Sequence, residues 1–276
     1  MLYSENIHLL SLQFRRPANY PDVFPYIVPA IKTLEEVHFE APVTFFVGEN
    51  GSGKSTLLEA LACAAGSTTV GSESVQTDRS LAAVRSFAKN LRLAWSKKTG
   101  KGFFLRSEDF IGYAKKMVQT REELESDLRQ VEVDYAQRSE TARAFARLAY
   151  LNELGAMKRE YGGRDLEAHS HGESFLALFK ARFMEGGLYL LDEPETPLSA
   201  MRQLSFLVLL NSMVKQKAQF IIATHSPIIM AFPGAVILNF DGQRVERMAF
   251  EDVEHVRVTK SFLDNPGRFL GYLFEE

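Results

Sequence analysis

The chain has 276 residues, 46% of them hydrophobic and 24% charged, with 32 basic against 35 acidic side chains and a formal net charge of −3. That length suits one large domain, or one domain with a sizeable insert, and its core needs no covalent staples. Near-neutral charge gives no long-range attraction to nucleic acid or an anionic membrane surface, and one cysteine, Cys63, excludes an intramolecular disulfide.

The N-terminus shows no basic segment followed by an apolar one, so no secretion signal is expected. No segment approaches the roughly 20 apolar residues of a membrane span. The expectation is a soluble, cytoplasmic protein without direct membrane insertion.

In chain order, residues 7–14 alternate loosely and read as a strand. The Pro- and aromatic-rich segment 15–33 reads as an ordered loop, and 34–39 as a second strand. Val43–Val47 is a short β-branched and aromatic run, suited to a strand buried on both faces. Strong helix formers follow from Lys54 to Ala65. A Gly-, Ser- and Thr-rich loop over 66–80 precedes a helix at 80–90 and strands near 91–95 and 103–106.

From 108 to 158 the pattern becomes helical, with Leu124, Leu128, Val131 and Tyr135 on one face. This reads as an insert of two or three helices. Its heptad stops at Arg138, too early for a long coiled-coil arm. Both a plain amphipathic surface and a partner-binding arm fit it.

Further on, helices are expected at 174–185 and 198–216, and apolar strands at Leu188–Asp192 and Gln219–Ala223. A hairpin around Asp241-Gly242 follows over 235–248, then helices at 257–264 and 266–275. Strands alternating with helices imply an α/β fold with a mixed, largely parallel sheet covered by helices. The chain divides into core segments 1–107 and 161–276 around the insert 108–160.

Gly48-Glu-Asn-Gly-Ser-Gly-Lys-Ser-Thr56 satisfies G-x-x-x-x-G-K-[ST] at every fixed position. Glycines let the backbone curl so that successive N–H groups point at phosphate oxygens, and the following helix adds its positive end. Glu49, Asn50, Gly51, Ser52, Gly53, Lys54, Ser55 and Thr56 are therefore the candidate ATP-binding residues. Lys54 supplies a mobile charge for the β- and γ-phosphates, and the Ser55 hydroxyl a ligand for Mg²⁺. Asp192 ends an apolar strand as the second metal candidate. Glu193, beside it, is the candidate that polarises an attacking water. Just past the next apolar strand, His225 can donate to the γ-phosphate or to that water.

These residues resemble the ABC ATPase superfamily. The resemblance makes Gly48–Thr56 the Walker A loop, Leu188–Asp192 the Walker B strand, Glu193 the catalytic glutamate and His225 the switch histidine. It implies a P-loop NTPase fold of the ABC type. His169-Ser-His-Gly-Glu173, with Ser170 lying 22 residues before Asp192, is similar to the family's signature. Ser170, Gly172 and Glu173 would cap the ATP of a second protomer, which implies an ATP-dependent homodimer.

Glu173 in place of Gln resembles the chromosome-maintenance and DNA-repair branch (SMC-like and RecF-like proteins). Ser199 stands where the D-loop usually has Asp. Gln76 is the Q-loop candidate, and Tyr26 and Phe24 are the candidates for stacking on adenine. Pro42–Glu59, Tyr161–Arg164, Ser170–Leu178, Gly187–Glu195 and Val258–Leu270 are similar to small stand-alone bacterial predicted ATPases, AAA family in name.

The implied function is ATP hydrolysis driving DNA repair, chromosome-linked or phage-defence work, with DNA or a nuclease or effector protein as partner. The alternative is the nucleotide-binding subunit of a membrane ABC transporter. The intact Glu193 and His225 disfavour a third reading, a non-hydrolysing ATP sensor.

Overall fold

In a parallel sheet covered on both faces, both sides of a strand are dry, so its residues must be continuously apolar. Val43–Val47 and Gln219–Ala223 meet that demand, with every residue buried, and Leu188–Leu191 are buried as well. The computed structural model describes residues 6–19, 21–70, 74–160 and 171–274, without the side chains of 110, 111, 113–118, 158–160 and 171–174.

The elements run β1 (Leu9–Phe14), α1 (Pro29–Lys32), β2 (Glu36–His38), β3 (Val43–Val47), α2 (Lys54–Ala65), α3 (Ala82–Ala88), β4 (Leu91–Trp95), β5 (Gly102–Arg106), α4 (Ser107–Asp134), α5 (Glu140–Glu160), α6 (His171–Arg182), β6 (Leu188–Asp192), α7 (Ala200–Lys215), β7 (Gln219–Ala223), α8 (Pro227–Met230), β8 (Val236–Asn239), β9 (Glu246–Met248), α9 (Glu254–Asp264) and α10 (Pro266–Phe274). Six strands form the main sheet in the order β5-β6-β7-β3-β8-β9. All neighbours in it are parallel except the closing β8–β9 hairpin. A second, antiparallel sheet has the order β2-β1-β4.

Alternation along each strand sorts the core into two layers. Phe46, Leu190, Ile221 and Ala223 face α2 and the small sheet, in one cluster with Leu57, Leu61, Leu12 and Phe87. Val43, Phe45, Leu191, Phe220 and Ile222 face the other way, onto Phe175 and Phe179 of α6 and Phe206 and Leu210 of α7. Phe175 and Phe179 meet edge to face at 4.4 Å between centroids, a geometry that aromatic quadrupoles favour.

One buried amide joins the two sheets. Gln219 Oε1 accepts the N–H groups of His8 (2.9 Å) and Leu9 (2.8 Å), while its Nε2 donates to the Leu9 carbonyl at 3.0 Å. A polar side chain this deep is tolerated because its oxygen and its nitrogen are both engaged.

The insert is a pair of helices, α4 and α5, tied together where Arg147 meets Glu132 at 2.8 Å. Along the predicted stripe, Leu124 is buried, Leu128 and Val131 are half-buried and Tyr135 is exposed. The stripe is thus a seam near the core that opens to solvent further along α4. Among the described residues no helix is long and apolar enough to cross a membrane.

Candidate nucleotide site

In a parallel sheet the loops leaving the carboxyl ends of the strands share one edge, where open α/β folds bind ligands. Here the loops after β3, β6 and β7, carrying Gly48–Gly53, Glu193 and Thr224–Ser226, converge with Ser107, the first residue of α4 directly after β5.

The loop between β3 and α2 turns on glycines with left-handed backbone, Gly48, Gly51 and Gly53. At Gly53 (φ 107°) a Cβ would lie 2.7 Å from Val28 Cγ1, so a side chain there meets both strain and a clash. Lys54 is buried and folds back, its Nζ donating to the carbonyls of Gly48 (2.6 Å) and Glu49 (2.9 Å). Burial pulls its pKa below the usual lysine value, while Asp192, Asp241, Glu193 and Glu49 oppose that shift. Glu49, Asn50 and Gly51 are exposed, and Ser52, Ser55 and Thr56 are half-buried. Ser52 Oγ is buried and has no hydrogen-bond partner among the described residues.

Ser55 Oγ donates to Asp192 Oδ1 at 3.1 Å, closing α2 onto the end of β6. Burial pushes the Asp192 carboxyl up to about 7, against the pull of the Ser55 hydroxyl and Lys54. A hydroxyl and a carboxylate oxygen this close are the hard donors that Mg²⁺ prefers. A divalent cation would offset the cost of the buried charge. The pair fits the ion, and Ser55 and Asp192 are the residues that would hold it.

Glu193 follows in a left-handed conformation (φ 48°), a cost of order 1–3 kcal/mol for a side-chain-bearing residue at a functional site. Three hydrogen bonds secure this corner. The Glu193 N–H donates to Ala223 O at 2.9 Å, and the Ser107 hydroxyl bonds both the Asp192 carbonyl (3.0 Å) and the Glu193 carbonyl. The Glu193 carboxylate is 44% exposed and lies 3.8 Å from His225 Nε2.

His225 is held from two sides. Its backbone N–H donates to Glu195 Oε1 at 2.7 Å, and its Nδ1 lies 3.1 Å from His255 Nε2. Its own Nε2 is buried without a hydrogen-bond partner among the described residues. Burial, and then Lys54 and His255, hold its pKa below the usual histidine value. Burial raises the Glu195 carboxyl.

The structure thus brings Lys54, Ser55, Asp192, Glu193 and His225 to one edge. Ser170 lies outside the described residues. Gly172 and Glu173 fall in the first turn of α6, within the stretch whose side chains are not described. Gln76, the Q-loop candidate, is elsewhere: its Nε2 donates to Cys63 O at 3.2 Å, near the far end of α2. Tyr26 is a core residue, 5.4 Å from Phe87 between ring centroids and accepting from Asn90 Nδ2 at 2.8 Å. Its ring is not available for stacking on a base, whereas Phe24 is exposed.

Several neighbours of the site escape sequence reading. Asp241 Oδ1 accepts the Glu49 N–H and lies 2.7 Å from where a Gly48 Cβ would be. In the sequence, Asp241-Gly242 reads only as a hairpin turn. Arg106 ends β5, 11% exposed, and its guanidinium pairs with Asp109 (2.6 Å), Asp78 (2.9 Å) and Glu59 (3.3 Å). Arg106 did carry a signal, since it ends the strand expected at 103–106, and Ser107 follows it directly. Glu195 and His255 carried none.

The geometry defines an α/β protein in which a G-x-x-x-x-G-K-S loop, set between a buried strand and a helix, faces a strand that closes on Asp192 and Glu193. Residues 30–139 match the family described as AAA domain. No curated protein matches the chain. Among solved structures, the chain is similar to the Smc head domain of Pyrococcus furiosus, determined with an extended coiled coil and the C-terminal domain of ScpA. That likeness has 12% identity over 93% of this chain and 99% of the other, with a TM-score of 0.48. It is also similar to cbiO1 of Clostridium perfringens, part of the ABC transporter complex cbiONQ. Identity there is 18% over 98% of this chain and 100% of the other, with a TM-score of 0.44.

Proposed function

We propose that the protein binds ATP with Mg²⁺ and hydrolyses it, in sites closed by a second copy of the chain. The observation that carries this is the Ser55–Asp192 contact at 3.1 Å, with Glu193 and His225 on the same strand edge. The backbone N–H groups of the loop beyond Glu49, whose own N–H is held by Asp241, take the phosphates together with Lys54. When bound, Mg²⁺ neutralises charge on the phosphate oxygens. Glu193 orients a water and accepts its proton as the water attacks the γ-phosphate. His225 Nε2, without a hydrogen-bond partner among the described residues, meets that same phosphate in this reading. Ser170, Gly172 and Glu173 of the second copy cap it, so hydrolysis loosens the pair.

The work coupled to this cycle is DNA-linked in our reading, with nucleic acid or a nuclease or effector protein as partner. Glu173, standing where transporters carry Gln, supports that assignment. Capture on the ATP-bound dimer tests it, and recovery of a membrane permease would replace it with the transporter reading.

Replacing Glu193 by Gln keeps shape and hydrogen bonding but removes the base. Turnover is expected to fall by about a hundredfold or more, the usual contribution of a positioned base, with ATP affinity retained. Steady-state phosphate release checks this, and an undiminished rate would remove Glu193 from the role.

A further inference from the structure

His225 depends on a residue that no motif contains. His255 is the second residue of α9, and its flanks fix its position. Val253 and Val256 are buried in the cluster that includes Ile229 and Met230 of α8, which anchors the start of α9, and His255 itself is half-buried. The two imidazoles meet at 4.8 Å between centroids, inclined by 61°, with His225 Nδ1 and His255 Nε2 3.1 Å apart.

Across that gap there is room for one proton, carried by one ring or the other. A neutral imidazole bears a proton on a single nitrogen, and its partner at one nitrogen decides the state of the other. Beyond His225 Nε2 is the Glu193 carboxylate at 3.8 Å, which can only accept. The γ-phosphate expected there accepts as well. A lone pair at Nε2 would face acceptors, whereas an N–H would face partners for it.

We infer that His255 is a positioning residue: its Nε2–H donates to His225 Nδ1 and so holds His225 as the Nε2–H tautomer, aimed at the γ-phosphate and Glu193. The inference rests on the proposed ATPase reading for its catalytic meaning, though not for the tautomer itself. It ties α9, in the C-terminal part of the chain, to the nucleotide edge by a single hydrogen bond.

The test uses ¹⁵N-histidine-labelled full-length protein. Its six histidines give ring-nitrogen spectra in which His225 is assigned by the signal lost in His225→Gln. The expected wild-type spectrum is that of the Nε2–H tautomer. His255→Leu, which has no donor, is expected to give a mixture of tautomers. Its kcat for ATP should fall about tenfold with KM changed less than about twofold. His255→Gln, whose amide can donate, should recover most of the rate.

An Nδ1–H spectrum for wild-type His225 would overturn the inference. So would an unchanged kcat in His255→Leu, or equal loss of rate and melting temperature in both variants with the His225 spectrum unaltered. If the wild-type chain turned over no ATP, the proposed activity would fall and the nitrogen spectra alone would decide the tautomer.

Discussion

At the residue scale, the site is an exercise in placing charges out of water. Lys54 is buried and satisfied by two carbonyls of its own loop, so the phosphate oxygens of the proposed ligand would compete with groups already in place. Lys54→Ala removes the only side-chain cation in the loop. ATP affinity by calorimetry should fall by about a hundredfold, the scale of a lost charge-assisted contact in a sheltered site. Unchanged affinity would contradict the loop assignment.

Glu195 gives a pH signature. Burial, opposed by the His225 N–H and the Thr224 hydroxyl, keeps its carboxyl above the usual 4.5. Between those two values the folded chain binds the extra proton. Its contribution to stability is therefore full below about pH 4.5 and is lost as pH rises through the folded value. Glu195→Gln abolishes that loss, so the variant should gain in melting temperature on the wild type as pH rises above about 4.5. Parallel curves would contradict the raised carboxyl.

The phosphate loop, Asp192, Glu193 and His225 are legible in the sequence because each obeys a local rule: a glycine pattern, or a polar residue closing an apolar run. Glu195, Asp241 and His255 are not, because only the folding of distant segments gives them their partners. Tyr26 and Phe24 share a segment and residue class, yet one is core and the other exposed. Packing against Phe14 and Phe87, rather than composition, separates them.

At the element scale, continuous apolar runs locate every strand of the parallel sheet, and the DG turn locates the β8–β9 hairpin. The split into two sheets is hidden, because β4 and β5 read alike in sequence. What parts them is pairing: β4 lies against β1, and β5 against β6. The joint between β5 and α4 is Arg106. Burial disfavours its charge, but Asp109, Asp78 and Glu59 outweigh that and hold the guanidinium firmly protonated. Arg106→Met would leave those three sheltered carboxylates without their common partner. The loss expected is about 3–5 kcal/mol, as for a broken buried ion pair, read from denaturant unfolding. A change under about 1 kcal/mol would mean that solvent screens the cluster.

At the scale of the whole molecule, the proposed cycle predicts assembly. The Glu193→Gln chain should shift from monomer to dimer in solution when ATP and Mg²⁺ are added, as measured by light scattering. Ser170→Arg should block the shift while each monomer still binds ATP. A dimer unaffected by that change would free Ser170 of its role between copies.

The insert gives such a cycle reach. α4 has 28 residues, about 42 Å at 1.5 Å per residue, and it starts at Ser107, whose hydroxyl is bonded to the carbonyls of Asp192 and Glu193. Turning such a rod by about 10° at its base sweeps its far end through about 7 Å. In the proposed cycle the helix pair would serve as a lever, turning a small shift of the Glu193 backbone into a larger displacement at the far end of α4, where a partner would register it.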